Sequence, residues 1–215
     1  MKRYRGIRLV IFDLDGTLVD AYPAITQSFN HAMRSLGYKA EAPAVIRRAV
    51  GWGDENLLRP FLAKKDLRKA LLLYRRHHRR ALLNDSALFK GALKLLVYLK
   101  DRGYKLAVAS NRPSRFSLIL IRHLGLDSYF DYVLCADRLK RGKPSPQILR
   151  RIMKRFSIIP LQTLYVGDMV IDAQAGRRAG VNTVIVTTGS SSKEDILEER
   201  PSAVVTDIRQ LSKML

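Results

Sequence analysis

This 215-residue chain predicts a three-layer α/β/α protein with a mainly parallel sheet, and three observations carry that expectation. Short apolar runs alternate with amphipathic stretches along most of its length, the rhythm of parallel strands joined by crossover helices. Several of those runs end abruptly in polar residues, as strands do where a site lies outside their carboxyl ends. The stretch from Asp20 to about Leu88 breaks the rhythm, offering helical patterns and no convincing strand.

Taken in order, the strands are expected at 7–12, 105–110, 132–136, 163–167, 182–187 and 203–206. Between them, "GALKLLVYLKDRG" is amphipathic and stops at Gly103, a normal helix terminator. "PSRFSLILIRHLG" runs from Pro113 to Gly125, with His123 in the last turn, where the helix dipole favours it. "SPQILRRIMKRF" offers Ser145 as N-cap and Pro146 as first helical residue. Inside the interrupting stretch, Ile25, Phe29, Ala32, Met33 and Leu36 form one apolar stripe. "PAVIRRAVG" and "KDLRKALLLYRRHHRRALL" read as two more helices, with a turn-like "GWGDEN" at 51–56 between them. The segment "YRRHHRR" (74–80) is expected on a solvated face, with His77 and His78 pointing apart and forming no metal pair. "TTGSSSK" (187–193) reads as a flexible loop. These assignments divide the chain into a core of 1–19 and 89–215 and a helical cap of 20–88 over the carboxyl ends of the strands.

Composition removes several classes of function. Apolar content is ordinary for a globular protein, so disorder is excluded, and no apolar run reaches the roughly 18–20 residues that span a bilayer. The basic N-terminus leads into only a short apolar stretch and lacks a small-residue cleavage site, so no signal peptide is expected. Cys135 is the single cysteine; it excludes an internal disulfide, fits a reducing cytoplasm and reads as a buried packing thiol. Against 19 acidic residues stand 39 basic ones, a net charge of +20 that attracts polyanions or simply solvates the surface. No aromatic stacking platform accompanies the basic residues, so a nucleic-acid partner is allowed by charge and indicated by nothing else.

The chemistry gathers at four places. "VIFDLDGTLVD" (10–20) ends a predicted strand in two carboxylates, Asp13 and Asp15, followed by Gly16. Another strand ends in Ser110-Asn111, a loop carries Gly142-Lys143-Pro144, and a further strand ends in Gly167-Asp168, with Asp172 four residues on. Alone, the first stretch could be a turn, a cap or a fragment of a calcium loop, and Asp168 could merely cap the helix after it. Together, Asp13, Asp15 and Asp168 on neighbouring strand tips would repel one another unless a cation joined them. Hard oxygen donors in an incomplete shell suit Mg²⁺, which completes its coordination with water and phosphate oxygens. A lysine and a serine hydroxyl then suit the remaining phosphoryl oxygens. One carboxylate can attack phosphorus while the other handles the leaving group's proton.

With these four segments the chain resembles the haloacid-dehalogenase superfamily, and within it the phosphoglycolate-phosphatase-like group with a small helical cap. "VIFDLDGTLVD", "VASNRP", "RGKPSP" and "YVGDMVIDAQAGRRAGV" resemble its four motifs, in the expected order and over nearly the whole chain. The resemblance implies a Rossmann-like core and a Mg²⁺-dependent phosphomonoester phosphatase acting on a small phosphorylated metabolite. It implies Asp13 as the nucleophile that becomes an aspartyl-phosphate and as a metal ligand. Asp15 becomes the general acid and base, with its backbone carbonyl on the metal. Ser110 and Lys143 hold the phosphoryl group, Asp168 ligates the metal, and Asp172 supports the ligands or Lys143. The backbone amides of Leu14 and Asn111 would face phosphate oxygens.

Within that superfamily, Asp15 argues for phosphoryl transfer over dehalogenation. Ile25, where related mutases carry a hinge histidine, argues for hydrolysis. "SNRP" resembles the "TNKP" of phosphoglycolate phosphatases, with Arg112 in place of lysine. "VGWGDENLLRPFL" occupies the cap loop that reads the leaving group, so Arg112, Trp52, Asn56 and Arg59, with Asp54 and Glu55, are the expected substrate contacts. Phosphoglycolate is the expected substrate; sugar phosphates, nucleotides, a phosphomutase reaction, or a basic nucleic-acid-binding or regulatory role on this fold are the alternatives.

Overall fold

Six parallel strands form the centre of the protein, whose structure, a computed structural model, describes residues 3–215. In chain order the strands are β1 (Leu9–Phe12), β2 (Val19–Asp20), β3 (Ala87–Leu88), β4 (Lys105–Ser110), β5 (Tyr132–Cys135), β6 (Thr163–Gly167), β7 (Asn182–Val186) and β8 (Ala203–Val205). The large sheet has the order β5-β4-β1-β6-β7-β8, so β1 lies centrally, flanked by β4 and β6. Both neighbours pair with β1 in parallel, Phe12 standing opposite Val108 and Val166. The helices are α1 (Tyr22–Ser35), α2 (Pro43–Ala49), α3 (Asp54–Leu58), α4 (Leu67–Asn84), α5 (Ala92–Asp101), α6 (Ser114–His123), α7 (Gln147–Phe156), α8 (Val170–Ala179) and α9 (Lys193–Glu198).

A strand buried on both faces needs apolar residues at every position, and β1 is "LVIF", fully buried throughout. Alternation then sorts its side chains into two cores. Val10 and Phe12 face a core completed by Leu95, Leu96 and Leu99 of α5 and by Phe116 and Leu120 of α6. Leu9 and Ile11 face the opposite core, with Ile148, Leu149 and Ile152 of α7 and Ala175 of α8. Helices therefore cover both faces, and the expected three-layer α/β/α architecture is the one observed.

The helical stretch leaves and rejoins the sheet through a two-stranded antiparallel ribbon, Val19 opposite Leu88 and Asp20 opposite Ala87. Strands of two residues carry no readable alternation, which is why the sequence shows none there. The stripe on α1 packs as its periodicity predicts, with Ile25, Phe29, Ala32 and Met33 buried.

Other details differ from expectation. β1 begins at Leu9, and α7 begins at Gln147 with Pro146 at its N-cap; the Gln147 amide still donates to Ser145 Oγ at 3.3 Å, one residue off the expected register. "GWGDEN" is a turn only in its first half, because Asp54 opens α3. The "YRRHHRR" face is solvated at Arg76, Arg79 and Arg80, but Tyr74 and His78 turn inward and are buried. Among the described residues no helix is long and apolar enough to cross a membrane.

Leu96 on α5 is fully buried in the core beneath β1. Leu96→Ala should lower unfolding free energy by about 2–5 kcal/mol, read as an earlier urea midpoint at unchanged slope.

Candidate active site

Each parallel strand presents its last carbonyl and the following loop at the same edge of the sheet, so the tips of β1, β4 and β6 form one rim. Asp13 follows β1 directly, and its amide continues the ladder by donating to the Val166 carbonyl at 2.8 Å. Ser110 is the last residue of β4, and Asp168 follows β6. Lys143 arrives from the loop before α7. The site is thus built on the rigid end of the sheet.

Lys143 is the electrostatic centre, buried at 3% exposure. Its Nζ lies 2.9 Å from Asp13 Oδ1 and 2.7 Å from Asp172 Oδ1, and it donates to the Tyr165 hydroxyl at 3.2 Å. Tyr165 in turn donates to Asp172 Oδ1 at 2.6 Å. The second oxygen of Asp172 accepts from the amides of Met169 at 3.0 Å and Asp168 at 3.2 Å, at the start of α8. Asp172 is therefore fully occupied. Burial opposes the charge of Lys143, but Asp13 and Asp172 outweigh it and raise its pKa.

Asp168 is fully buried, and its Oδ1 accepts from the Thr17 hydroxyl at 2.8 Å. Asp168 is not the cap of α8, a position held by Met169. Its Oδ2 is buried without a hydrogen-bond partner, lying against Gly16 and Gly189, where any Cβ would strike it. Gly16 also has φ +81°, so both backbone conformation and the closeness of Asp168 require glycine. Burial drives the pKa of Asp168 well above the carboxylate range and that of Asp13 up to about 7, in the latter case against the pull of Lys143.

Asp13, Asp168 and Asp172 each place a carboxylate oxygen within 4.8 Å of the others. Were all three carboxylates ionised around the one ammonium, two negative charges would lack a counter-charge, and the raised pKa values of Asp13 and Asp168 reflect that shortage; one divalent cation would supply it. The orphaned Asp168 oxygen and the all-oxygen donor set fit Mg²⁺.

Asp15 stands apart from this cluster, in a second ion pair. Arg112 Nε donates to Asp15 Oδ2 at 2.7 Å and Arg112 Nη2 to Oδ1 at 2.6 Å, a bidentate pair. The third nitrogen of the guanidinium, Nη1, donates to His78 Nε2 at 2.8 Å. Ser110 Oγ accepts from the Arg112 amide at 3.1 Å. Asn111 ties loops together: its side-chain amide donates to the carbonyls of Gly51 and Lys143, and its Oδ1 accepts from the Lys143 amide at 2.8 Å.

Between the sheet edge and the helical stretch lies a cavity of about 60 Å³, lined at its polar end by Asp13, Asp15, Ser110, Arg112 and Lys143. Apolar residues, among them Ile25, Leu57 and Phe116, close the other end. The structure thus brings together Asp13, Asp15, Ser110, Asn111, Arg112, Lys143, Asp168 and Asp172. Leu14 is fully buried between the two acids. Trp52, Asn56 and Arg59 do not line the cavity. Trp52 is 49% exposed, Asn56 donates to the Trp52 carbonyl, and Arg59 pairs with Glu55 on the surface. Gly51, Gly53, Asp54 and Leu57 take that wall instead, with Asp54 held by Arg75 at 2.6 Å.

Sequence reasoning missed Thr17, Tyr165 and His78. Thr17 and Tyr165 each stand within three residues of a motif carboxylate or glycine, a weak signal. His78 had one usable signal: with Tyr74 it sits at i and i+4 on α4, the spacing of one helix face.

On this geometry the chain is a hydrolase with a Rossmann-like core built for phosphoryl groups, and it belongs to the haloacid dehalogenase-like hydrolase family, whose model matches residues 10–186. It is an enzyme of the phosphatase class, and its relatives agree. It is 35% identical to a phosphoglycolate phosphatase of Nitrosospira multiformis, over 97% of this chain and 96% of that one. It is 33% identical to phosphoglycolate phosphatase 1 of Pseudomonas aeruginosa, over 95% of this chain and 78% of that one. The solved structure of a protein from Haemophilus somnus, described as a predicted phosphoglycolate phosphatase, superposes with a TM-score of 0.93 at 26% identity, covering 97% of each chain.

His78 provides a test of the folded site. Burial, reinforced by the Arg112 charge, lowers its pKa to about 2. The unfolded chain takes up that proton near the ordinary value of about 6.5, so stability is lost as pH falls below it. Between pH 6.5 and 4.5 the wild type should lose about 1.4 kcal/mol more per pH unit than His78→Gln, measured by urea unfolding.

Proposed function

We propose that the enzyme hydrolyses phosphomonoesters of short metabolites, phosphoglycolate foremost, with Mg²⁺ as cofactor and Asp13 carrying the phosphoryl group between two half-reactions. The observation that carries this reading is the meeting of Asp13 and Asp168 at adjacent strand tips with Asp172 and the loop residue Lys143, three carboxylates gathered around one ammonium.

Asp13 and Asp168 are the side chains with oxygens to offer the cation, the backbone carbonyl of Asp15 joining them, while Asp172 is spent on Lys143, Tyr165 and two amides. When bound, the cation offsets the repulsion between the anionic phosphoryl group and these carboxylates. Lys143 lies on Asp13 and is placed to bind a phosphoryl oxygen at the same time. Ser110, buried at the next strand tip, donates its hydroxyl to another, and the backbone amides of Leu14 and Asn111 complete the cradle. An oxygen of Asp13 attacks phosphorus, the bond to the ester oxygen breaks, and Asp15 delivers a proton to the departing alcohol. Asp15 then takes a proton from water as that water attacks phosphorus, releasing phosphate and restoring Asp13. The helical segment 20–88 acts as the cap that excludes bulk water during both steps.

Three features support the substrate class. The cavity pairs a polar end of Asp13, Asp15, Ser110, Arg112 and Lys143 with a small apolar wall, a lining that suits a phosphoryl group on a short chain. Ile25 lines it, so no proton carrier stands where a mutase would need one. The relatives named above are phosphoglycolate phosphatases. A cytoplasmic location belongs to the same proposal, supported by the lone buried thiol of Cys135.

A panel of phosphorylated metabolites with Mg²⁺, scored by kcat/KM from phosphate release, should rank phosphoglycolate first. Chelation should abolish turnover and added Mg²⁺ restore it. Asp13→Asn should lower kcat on the order of 10³-fold or more, and wild-type turnover by that variant overturns the mechanism.

A further inference from the structure

The mechanism above uses Asp15 and leaves unexplained a buried histidine two contacts away. His78 is 2% exposed on a helix whose Arg68, Lys69, Arg76, Arg79 and Arg80 face water. Its surroundings fix its chemistry completely. A guanidinium has only donors, so the 2.8 Å contact with Arg112 Nη1 makes His78 Nε2 an acceptor, without a proton. The proton of the neutral ring is then on Nδ1, which lies 3.1 Å from Ser28 Oγ. Ser28 uses its own proton on the Ala24 carbonyl at 2.7 Å, leaving its oxygen free to accept. His77 Nδ1 also reaches that oxygen, at 3.2 Å. Donation therefore runs one way: Arg112 to His78, His78 to Ser28, Ser28 to Ala24. The ring is held between Tyr74, stacked at 4.8 Å, and Phe116, edge-on at 5.2 Å. Beside an arginine in a dry pocket, this imidazole stays neutral.

We propose that His78 is a positioning residue for Asp15, acting through Arg112. The guanidinium uses Nε and Nη2 on Asp15 and Nη1 on His78, so each of its three nitrogens has a partner and its plane is fixed. Without an acceptor at position 78, Nη1 would lose the partner it has there inside a buried pocket, a costly state for a cation's donor. The guanidinium would turn toward another acceptor and carry the Asp15 carboxylate with it. Asp15 and Arg112 come from the sheet edge, whereas His78 and Ser28 come from α4 and α1. The aim of the proton carrier thus depends on how the helical segment is seated on the sheet. Proton transfer is sensitive to sub-ångström placement, so this dependence acts on rate.

The proposal rests on the phosphatase reading, and its test separates the two. Two esters distinguish a misaimed Asp15 from a damaged phosphoryl site. Phosphoglycolate has a poor leaving group that needs a proton, whereas p-nitrophenolate departs without one. In His78→Leu, kcat for phosphoglycolate should fall about tenfold more than the first-turnover release of p-nitrophenolate, with KM changed less than kcat. His78→Gln, whose carbonyl can accept from Arg112 and whose amide can donate to Ser28, should recover most of that loss. Equal losses on both esters, no loss on either, or no recovery in the glutamine variant overturns the role. Should the leucine variant fail to fold, the wild type decides: long-range ¹H–¹⁵N spectra should show His78 protonated on Nδ1 alone from pH 8 to pH 5. The opposite tautomer, or an ordinary titration, overturns the proposal. If wild type hydrolyses neither ester, the phosphatase reading falls and the Asp15 role with it, while the spectrum still tests the chain of bonds from Arg112 to Ser28.

Discussion

A single ammonium group, buried where three parallel strands end, holds the site together. Taking a charge out of water costs several kcal/mol, and the cost is offset only where partners are close and their remaining lone pairs are satisfied. Lys143 meets that condition through Asp13, Asp172 and Tyr165, and Asp172 meets it through two amides at the start of α8. The loop bearing Lys143 is anchored in turn by the Asn111 side chain, which also reaches the Gly51 carbonyl. The ladder of β1 with β4 and β6 sets the spacing of the tips, and the ammonium makes that spacing tolerable for acids.

Two ion pairs divide the cavity. Around Lys143 lie Asp13, Asp168 and Asp172, a cluster suited to a phosphoryl group and its counter-ion. Around Arg112 lie Asp15 and His78, a cluster suited to orienting a single carboxylate. The acids sit only two residues apart, yet Asp13 turns to lysine and Asp15 to arginine. Each acid thus has a cation of its own, and neither draws on the other's counter-charge.

Much of this was legible because strand tips and their motifs are local in sequence. Asp13, Ser110 and Asp168 each end or directly follow a strand, so a reading of apolar runs finds them. The wall facing the sheet was less legible, for a geometric reason. "GWGDEN" looks like a turn, but Asp54 starts α3, and helical periodicity sends Asp54 and Leu57 toward the cavity while Asn56 and Arg59 face outward. Thr17 and His78 were hidden differently. Their partners, Asp168 and Arg112, lie 151 and 34 residues away, and no local pattern announces a contact between a helix and a distant loop. A basic stretch such as "YRRHHRR" hides its buried members because their neighbours are charged.

The short ribbon of β2 and β3 has a consequence for how such a protein can diversify. Because Val19 faces Leu88 and Asp20 faces Ala87, the chain leaves the sheet and returns to it at one spot. Loop-closure entropy rises only by about 0.6 kcal/mol for each doubling of length, so the span between these strands can lengthen or be exchanged at little thermodynamic cost to the sheet. The ribbon is a graft junction: what is stitched in there can change, while the rim formed by the ends of β1, β4 and β6 stays as it was.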